Sequence, residues 1–383
     1  MRKFAAVFSL LMMATLTHAA GPGAVASVDR SLWPDPASSP TGFDRASRAE
    51  MLSFGHALIQ SEHEGDGTLR DRLKLKHVDR DAIDRVRAMY WHRLIANYTR
   101  ASSNCGEGEP FCLSGLDEAA FKKAAAGFTH APDNRYAAWF AASQQFHRIY
   151  LDELLRLASL FPRTSSEVMA YSSSEMSGEE LADRHFLLTF DDGPTRIGGN
   201  TDKLLDTLRE QRLNATFFVL GEPLQARLRQ GRPGELPHTY QGMCVGSHGW
   251  QHRSHSTWTQ WQDSVARSMD LIRNNLPSSY VPLFRPPYGQ RRADSGTFFG
   301  SRGVHVVLWN IDSQDWNSRM DADQIKQRVL TLMLLWRRGV ILFHDIHAKA
   351  QTVVPWLVEQ TNETEVQWAD CRTYGFIRTT SDG

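Results

Sequence analysis

The second half of the chain alternates short β-rich runs with segments of helical character, and this alternation limits the folds open to it. Seven runs are strand candidates: HFLLTF, ATFFVL, MCVGSH, LFRPP, HVVLWN, VILFHD and EVQWAD. Helix-like segments over residues 201–212, 258–274 and 322–336 lie between several of them. Strands that alternate with helices form a parallel sheet whose faces are both covered. The pattern therefore predicts an α/β fold.

Polar side chains stand at or just past the C-terminal ends of the predicted strands, and they favour a barrel over an open doubly wound sheet. In an α/β barrel these ends form one rim, where active sites are built. We therefore expect a distorted (β/α) barrel of about seven strands, preceded by a smaller all-α domain. The residues at the predicted rim are Asp191, Asp192, His248, Arg285, Asp312, Asp315 and His344.

The chain changes character near residue 180. Between residues 43 and 161 apolar residues recur with a helical period, so that Ile83, Val86, Tyr90 and Leu94 share one face. The serine-rich stretch TSSEVMAYSSSEMSGEE follows. We expect a helical N-terminal domain over residues 21–162, a linker over 163–182 and a catalytic domain over 183–383.

Residues 1–20 resemble a secretory signal peptide. A cationic start, MRK, precedes an apolar stretch over residues 4–15, and THAA ends in small residues. The apolar stretch is too short to span a bilayer. We expect cleavage after Ala19 or Ala20 and export to the periplasm or the medium, and no integral membrane protein. The formal net charge is zero, so the composition gives no reason to expect a nucleic-acid partner.

In an exported protein the four cysteines are expected to form disulfides, because an even number of cysteines in an oxidising compartment favours them. Cys105 and Cys112 flank the loop GEGEP and are expected to pair. Cys244 and Cys371 are then left to pair with each other, which would tie the end of the chain to the middle of its second half. Free buried thiols are the alternative.

The stretches TFDDGP and SHGWQH predict a metal site. SHGWQH spaces His248 and His252 four residues apart, so that both imidazoles can face one point. With a carboxylate they form a two-histidine, one-carboxylate set that leaves open positions, as catalytic zinc sites do. Asp192 would be that carboxylate, and Asp191 beside it would stay ionised as a general base. A cation explains why two like charges stand together where a strand ends.

Five stretches in order, TFDDGP, SHGWQH, RPPYG, DSQDW and LFHDIH, resemble the motifs of the polysaccharide deacetylases, the NodB-homology group or carbohydrate esterase family 4. The resemblance covers residues 184–383 and leaves out the helical part. It implies that Asp191 is the catalytic base, that Asp192, His248 and His252 bind the metal, and that Arg285 orients the base. The ligand set suits Zn²⁺ best, and Co²⁺ or Ni²⁺ would also fit.

The resemblance also implies roles for the later motifs. His344 would be the general acid, with Asp315 as its charge partner. The backbone N–H of Tyr288 would contact the oxyanion, and Trp316 and Leu342 would line the acetyl pocket. Such a site supplies a polarised carbonyl, an activated water and a proton for the departing amine.

One position departs from the family pattern. The family usually has Ser or Thr after the first metal histidine, and this chain has Gly249, which puts the order of that loop in doubt. His255, seven residues after His248, is a spare candidate ligand. Three ligands already suffice, so we expect His255 to lie behind the ligands or at the surface.

The resemblance implies a deacetylase that acts on N-acetylated glycans such as peptidoglycan, chitin oligosaccharides or an exopolysaccharide, and we expect it to work as a monomer. An O-acetyl esterase or another amide hydrolase could use the same site. A glycan-binding protein with a decayed site is an alternative from outside the enzymes, and the complete set of base, ligands and acid argues against it.

Overall fold

The computed structural model describes residues 24–375, except residue 107 and residues 114–116, 163–170, 173–174 and 233. The predicted signal peptide lies outside the described residues. Five helices come before the sheet: α1 (Pro40–Glu62), α2 (Asp66–Arg72), α3 (Arg80–Ala101), α4 (Glu118–Ala126) and α5 (Ala137–Leu160). The described part of the chain holds no helix that combines the length and the apolar character needed to cross a membrane.

The sheet is parallel throughout its described pairings. Its strands are β1 (Glu175–Met176), β2 (His185–Asp191), β3 (Thr216–Val219), β4 (Cys244–Ser247), β5 (Tyr280–Phe284), β6 (His305–Val307), β7 (Ile311–Asp312), β8 (Gly339–His344) and β9 (Gln367–Trp368). The helices among them are α6 (Asn200–Glu210), α7 (Gly221–Gln230), α8 (Glu235–Thr239), α9 (Trp261–Asn275), α10 (Gly296–Gly300), α11 (Ala322–Trp336), α12 (Ala350–Thr361) and α13 (Cys371–Tyr374).

The strand order is β1-β6-β5-β4-β3-β2-β8-β7, and β9 pairs with β2. Neighbouring strands thus follow the sequence from β2 to β6, and β8 lies on the other side of β2. The two outer strands of this order are β1 and β7, and residues 308–310 connect β6 to β7. The sheet curls into a distorted (β/α) barrel that is incompletely closed between β1 and β7, and this confirms the predicted fold class.

Each of the seven predicted strand runs overlaps a strand. The sequence did not indicate β1 and β7, which have two residues each. Strand β1 lies inside the segment predicted as a linker and pairs with β6, so the sheet begins within that segment.

Side chains alternate between the inside and the outside of the barrel because successive residues of a strand point to opposite faces. Leu187 of β2 and Val340 of β8 belong to an inner cluster, whereas their neighbours Leu188 and Ile341 pack outward against the helices. By the same alternation Asp191 and His344, at the ends of these strands, share the inner face. The barrel thus aims both side chains into its C-terminal mouth.

Both predicted disulfides are present. Cys105 is bonded to Cys112, and Cys244 to Cys371. Cys371 opens α13, and it packs with Tyr374 in the inner cluster of the barrel. Since Cys244 is the first residue of β4, this disulfide fixes α13 at the N-terminal end of the barrel, opposite the predicted rim.

The helical region packs on α11, the helix between β7 and β8. Trp336 at the end of α11 stacks on Tyr90 of α3 and meets the edge of Phe54 of α1. The buried Arg328 of α11 donates to both carboxylate oxygens of Glu153 in α5, at 3.1 and 2.7 Å. One continuous apolar cluster runs through both parts of the chain. The helical region is therefore built into the barrel's outer wall.

A second buried ion-pair group joins the two parts near the N-terminal ends of the strands. Asp44 of α1 accepts hydrogen bonds from Arg337 at 2.7 Å and from Arg184 at 2.8 Å. Arg337 also forms a two-bond pair with Asp183. Because removing one partner of a buried pair leaves the other charge uncompensated, these contacts lock the helical region in one position.

Candidate active site

Polar side chains gather at the C-terminal rim of the barrel, where the sequence predicts them. Each follows a different strand because the strands are parallel and their C-terminal ends meet at the same mouth. They are Asp191 at the end of β2, His248 directly after β4, Arg285 directly after β5, Asp315 three residues after β7 and His344 at the end of β8.

Asp192, His248 and His252 form a cluster whose ligand atoms all lie within 4.8 Å of one another. Asp192 Oδ1 lies 3.4 Å from His248 Nε2 and 3.5 Å from His252 Nε2. This oxygen is buried and has no hydrogen-bond partner among the described residues. The Nδ1 of His248 donates to the carbonyl oxygen of Arg285 at 2.7 Å, which leaves the lone pair of Nε2 facing Asp192. Lone pairs that face one another in this way suit a cation.

The charges of the cluster agree with that geometry. Burial would raise the pKa of Asp192, but the neighbouring imidazoles, His248 first, lower it further, so that this pKa lies below its usual range. Burial and the nearby His248 lower the pKa of His252 to about 4. A charged carboxylate at Asp192 beside a neutral imidazole at His252 is the protonation state that metal ligands require.

Asp191 is held by a fully buried arginine. Arg285 NH1 donates to Asp191 Oδ1 at 2.9 Å and to Thr189 Oγ1 at 2.7 Å. The remaining guanidinium nitrogens donate to the carbonyl oxygens of Val307 and Leu308, both at 3.1 Å. These four bonds fix the guanidinium plane, so Asp191 Oδ1 is fixed as well, and its Oδ2 is left to face the mouth.

His344 lies beside Asp191, because the two are register partners on β8 and β2. Its Nδ1 donates to Asp315 Oδ1 at 2.8 Å, and its backbone N–H donates to Asp315 Oδ2, also at 2.8 Å. Burial lowers the pKa of His344, but the Asp315 carboxylate and the charges of Asp192 and Asp191 raise it more, to about 10. His344 is therefore protonated at neutral pH, with Nε2 free to deliver a proton.

Tyr288, Trp316 and Leu342 are predicted to contact the substrate, and Asp312, also predicted at the rim, is the last residue of β7. Tyr288 has a left-handed backbone (φ +61°), is 57% exposed, and its ring centroid lies 4.4 Å from that of His252. Trp316 follows Asp315 directly and is partly buried. Leu342 is buried and precedes His344 by two residues, so both share one face of β8.

One family profile and several known proteins are similar to parts of this chain. The family profile described as Polysaccharide deacetylase matches residues 178–307, which contain the first three motifs. The chain is 32% identical to a peptidoglycan-N-acetylglucosamine deacetylase of Bacillus cereus over 55% of this chain and 77% of that protein. It is 35% identical to a chitooligosaccharide deacetylase of Sinorhizobium fredii over 41% of this chain and 70% of that protein. The chain belongs to the polysaccharide deacetylase family.

Other relatives overlap the chain less fully. A peptidoglycan-N-acetylglucosamine deacetylase of Listeria monocytogenes is 30% identical over 43% of this chain, but the match spans 33% of that protein. The family profile ends at residue 307 and begins after the helical region.

The structure explains the glycine at the position where polysaccharide deacetylases usually have Ser or Thr. Gly249 has φ +87°, a left-handed conformation that favours glycine. A Cβ added there would lie 2.7 Å from His255 Cε1. His255 is buried, does not belong to the cluster of Asp192, His248 and His252, and hydrogen-bonds Ser264 instead. The expectation that His255 is not a ligand agrees with this arrangement.

Two buried residues of the rim were missed by the sequence reasoning. Thr189 ties Arg285 to β2, and it lies within the first polysaccharide deacetylase motif. Asp345 directly follows His344, accepts from Thr201 Oγ1 at 2.8 Å and donates its backbone N–H to the Asp191 carbonyl at 3.2 Å. A Cβ on Gly193 would lie 1.9 Å from Asp345 Oδ2, so only glycine fits there. Thr189 lies within the stretch TFDDGP and Asp345 within LFHDIH, and these positions in the sequence could have identified them.

Proposed function

We propose that the protein is a metal-dependent deacetylase that hydrolyses the N-acetyl groups of GlcNAc-containing glycans. The observation that carries the proposal is the meeting, at one barrel mouth, of the Asp192, His248 and His252 cluster with an arginine-held Asp191 and a His344 paired with Asp315. The curated relatives named peptidoglycan and chitooligosaccharide deacetylases support the same substrate class.

Asp192, His248 and His252 would hold a divalent cation, and two imidazoles with one carboxylate favour Zn²⁺, with Co²⁺ or Ni²⁺ as alternatives. The unpartnered Asp192 Oδ1 between two imidazole nitrogens supports this assignment. When bound, such a cation polarises the acetyl carbonyl and makes water more acidic.

Asp191 would act as the general base. Its Oδ1 is occupied by Arg285, so Oδ2, which lies 3.8 Å from His248 Nε2, is the oxygen available to accept a proton from the attacking water. Arg285 would thus keep the base oriented.

His344 would act as the general acid. The amine of an amide departs as a poor leaving group unless its nitrogen is protonated, and His344 Nε2 would deliver that proton. Asp315 would hold the imidazole in position and keep it charged through Nδ1. The backbone N–H of Tyr288 would donate to the developing oxyanion, and Trp316 with Leu342 would surround the acetyl methyl group.

We also propose that the protein is exported. The four cysteines form two disulfides, which persist in oxidising compartments. Peptidoglycan and other extracellular glycans are substrates outside the cytoplasm, so an exported enzyme would meet them. The paired cysteines and a cell-wall substrate thus both favour a location outside the cytoplasm.

Acetate release from a panel of substrates tests the proposal. The purified full-length chain is incubated with peptidoglycan, chitin oligosaccharides and an O-acetylated xylan, before and after treatment with a strong chelator. We expect acetate from the N-acetylated glycans, loss of release after chelation and recovery with Zn²⁺ or Co²⁺. Release from xylan alone would replace the deacetylase with an O-acetyl esterase, and no release from any substrate would reject an active enzyme.

A further inference from the structure

The loop between the two histidines of the cluster determines where His252 lies. The His248 side chain is 2% exposed and is held by its own strand end and by Arg285. The His252 side chain is 32% exposed, and it follows the three-residue stretch Gly249 to Gln251. The position of His252 therefore depends on how that stretch is anchored to the rest of the protein.

One side of the loop is anchored by the start of α7. The backbone N–H of Gly221 donates to the Gly249 carbonyl at 2.9 Å, and the N–H of Glu222 donates to the Trp250 carbonyl at 3.0 Å. These bonds hold the backbone carbonyls of Gly249 and Trp250 in place. They leave the N–H of Trp250 and the residues after His252 to be fixed by something else.

Ser264 and His255 supply the other anchor through one chain of hydrogen bonds. The Trp250 N–H donates to Ser264 Oγ at 2.7 Å, and Ser264 Oγ lies 3.2 Å from His255 Nε2. His255 Nδ1 lies 2.8 Å from the Arg253 carbonyl. A carbonyl only accepts, so Nδ1 carries the proton and Nε2 accepts from the serine hydroxyl.

The two ends of this chain bracket the ligand. It begins at the backbone of Trp250 and ends at the backbone of Arg253, with His252 between them. Both bridging residues are buried, with 1% exposure each. The His255 ring also fills the space beside Gly249, where an added Cβ would lie 2.7 Å from its Cε1.

We propose that His255 and Ser264 are positioning residues that set the place of the metal ligand His252 without touching the metal. The inference rests on the proposed metal site and deepens it. Partners that orient a ligand from behind are worth roughly 10–100-fold in metal affinity, and the same loss is expected here when the bridge is broken.

Metal affinity measured on the full-length chain tests this inference. Chelator-stripped protein is titrated with Zn²⁺ against a chromophoric chelator, and Co²⁺ spectra report the ligand geometry. The variants are Ser264→Ala, which removes the hydroxyl, His255→Phe, which keeps a ring beside Gly249, and the double variant. Ser279→Ala is the matched control, because its buried hydroxyl donates to the Tyr240 carbonyl away from the rim.

We expect each single variant to bind Zn²⁺ roughly 10–100-fold more weakly and to change the Co²⁺ spectrum. The double variant should bind about as weakly as the worse single variant, since one chain of bonds is broken in all three. The thermal midpoints of stripped Ser264→Ala and Ser279→Ala should fall by similar amounts, with Zn²⁺ affinity unchanged in Ser279→Ala.

Wild-type Zn²⁺ affinity in both Ser264→Ala and His255→Phe would overturn the inference and leave the proposed function standing. Equal weakening in Ser279→Ala would also overturn it, because the effect would then be general destabilisation. A wild-type chain that binds neither Zn²⁺ nor Co²⁺ would instead reject the proposed metal site and this inference with it.

Discussion

Replacing Asp315 with asparagine should shift the alkaline limit of activity. Asp315 is fully buried and contributes the largest of the effects that raise the pKa of His344 to about 10, against an ordinary value of about 6.5. Asp315→Asn keeps the size of the side chain and an oxygen that can accept from Nδ1, but it removes the charge. An opposite charge at hydrogen-bond distance is worth about 1–3 pKa units.

The general acid must be protonated to act, so the rate falls as pH rises through the pKa of His344. We therefore expect the alkaline limb of the kcat–pH profile of Asp315→Asn to move down by about 1–3 pH units. The profile is measured as acetate release at saturating substrate between about pH 5 and 11. Asp323→Asn, an exposed carboxylate paired with Lys326, is the control and should leave the limb in place. An unmoved limb in Asp315→Asn would refute His344 as the acid.

Two further substitutions test other parts of the structure. Asp44→Ala removes a buried partner of both Arg337 and Arg184, so it should lower the free energy of unfolding, measured by urea denaturation, by about 3 kcal/mol. The control Asp71→Ala, which removes an exposed ion pair, should change this free energy by less than about 1 kcal/mol. Equal losses of unfolding free energy in the two variants would show that the buried ion pairs of Asp44 stabilise the protein no more than an exposed pair does. Arg285→Lys keeps a charge near Asp191 but loses the fixed guanidinium plane, so kcat should fall by roughly 10²-fold with metal content unchanged, as measured by acetate release and elemental analysis. Full activity would show that base orientation does not depend on Arg285.

Much of the site could be predicted because the chemistry lies at strand ends. Buried parallel strands are recognisable as apolar runs, and each rim residue directly follows or lies near such a run in the sequence. The gathering of Asp191, His248 and His344 then follows from topology alone. Strands β1 and β7 escaped prediction because two residues carry no periodic signal.

The interactions that the sequence did not reveal join residues distant along the chain. Arg328 pairs with Glu153 across 175 positions, and Asn97 donates to the Trp336 carbonyl across 239. Nothing in the local sequence distinguishes these side chains from exposed polar side chains on a helix. The support for the loop at Gly249 was likewise hidden, because Ser264 lies on another element.

The adjacent residues Asp191 and Asp192 are assigned different roles, and measuring metal content together with kcat distinguishes these roles. Metal per chain and kcat are determined together for Asp191→Asn and Asp192→Ala. Asp192→Ala removes a ligand, so metal content and activity should fall together. Asp191→Asn keeps the size of the side chain but cannot accept the proton of water. It should retain about one metal per chain, like wild type, while kcat falls by roughly 10²–10⁴-fold. Loss of metal in Asp191→Asn to the same extent as in Asp192→Ala would show that both aspartates are ligands and that Asp191 is not the base.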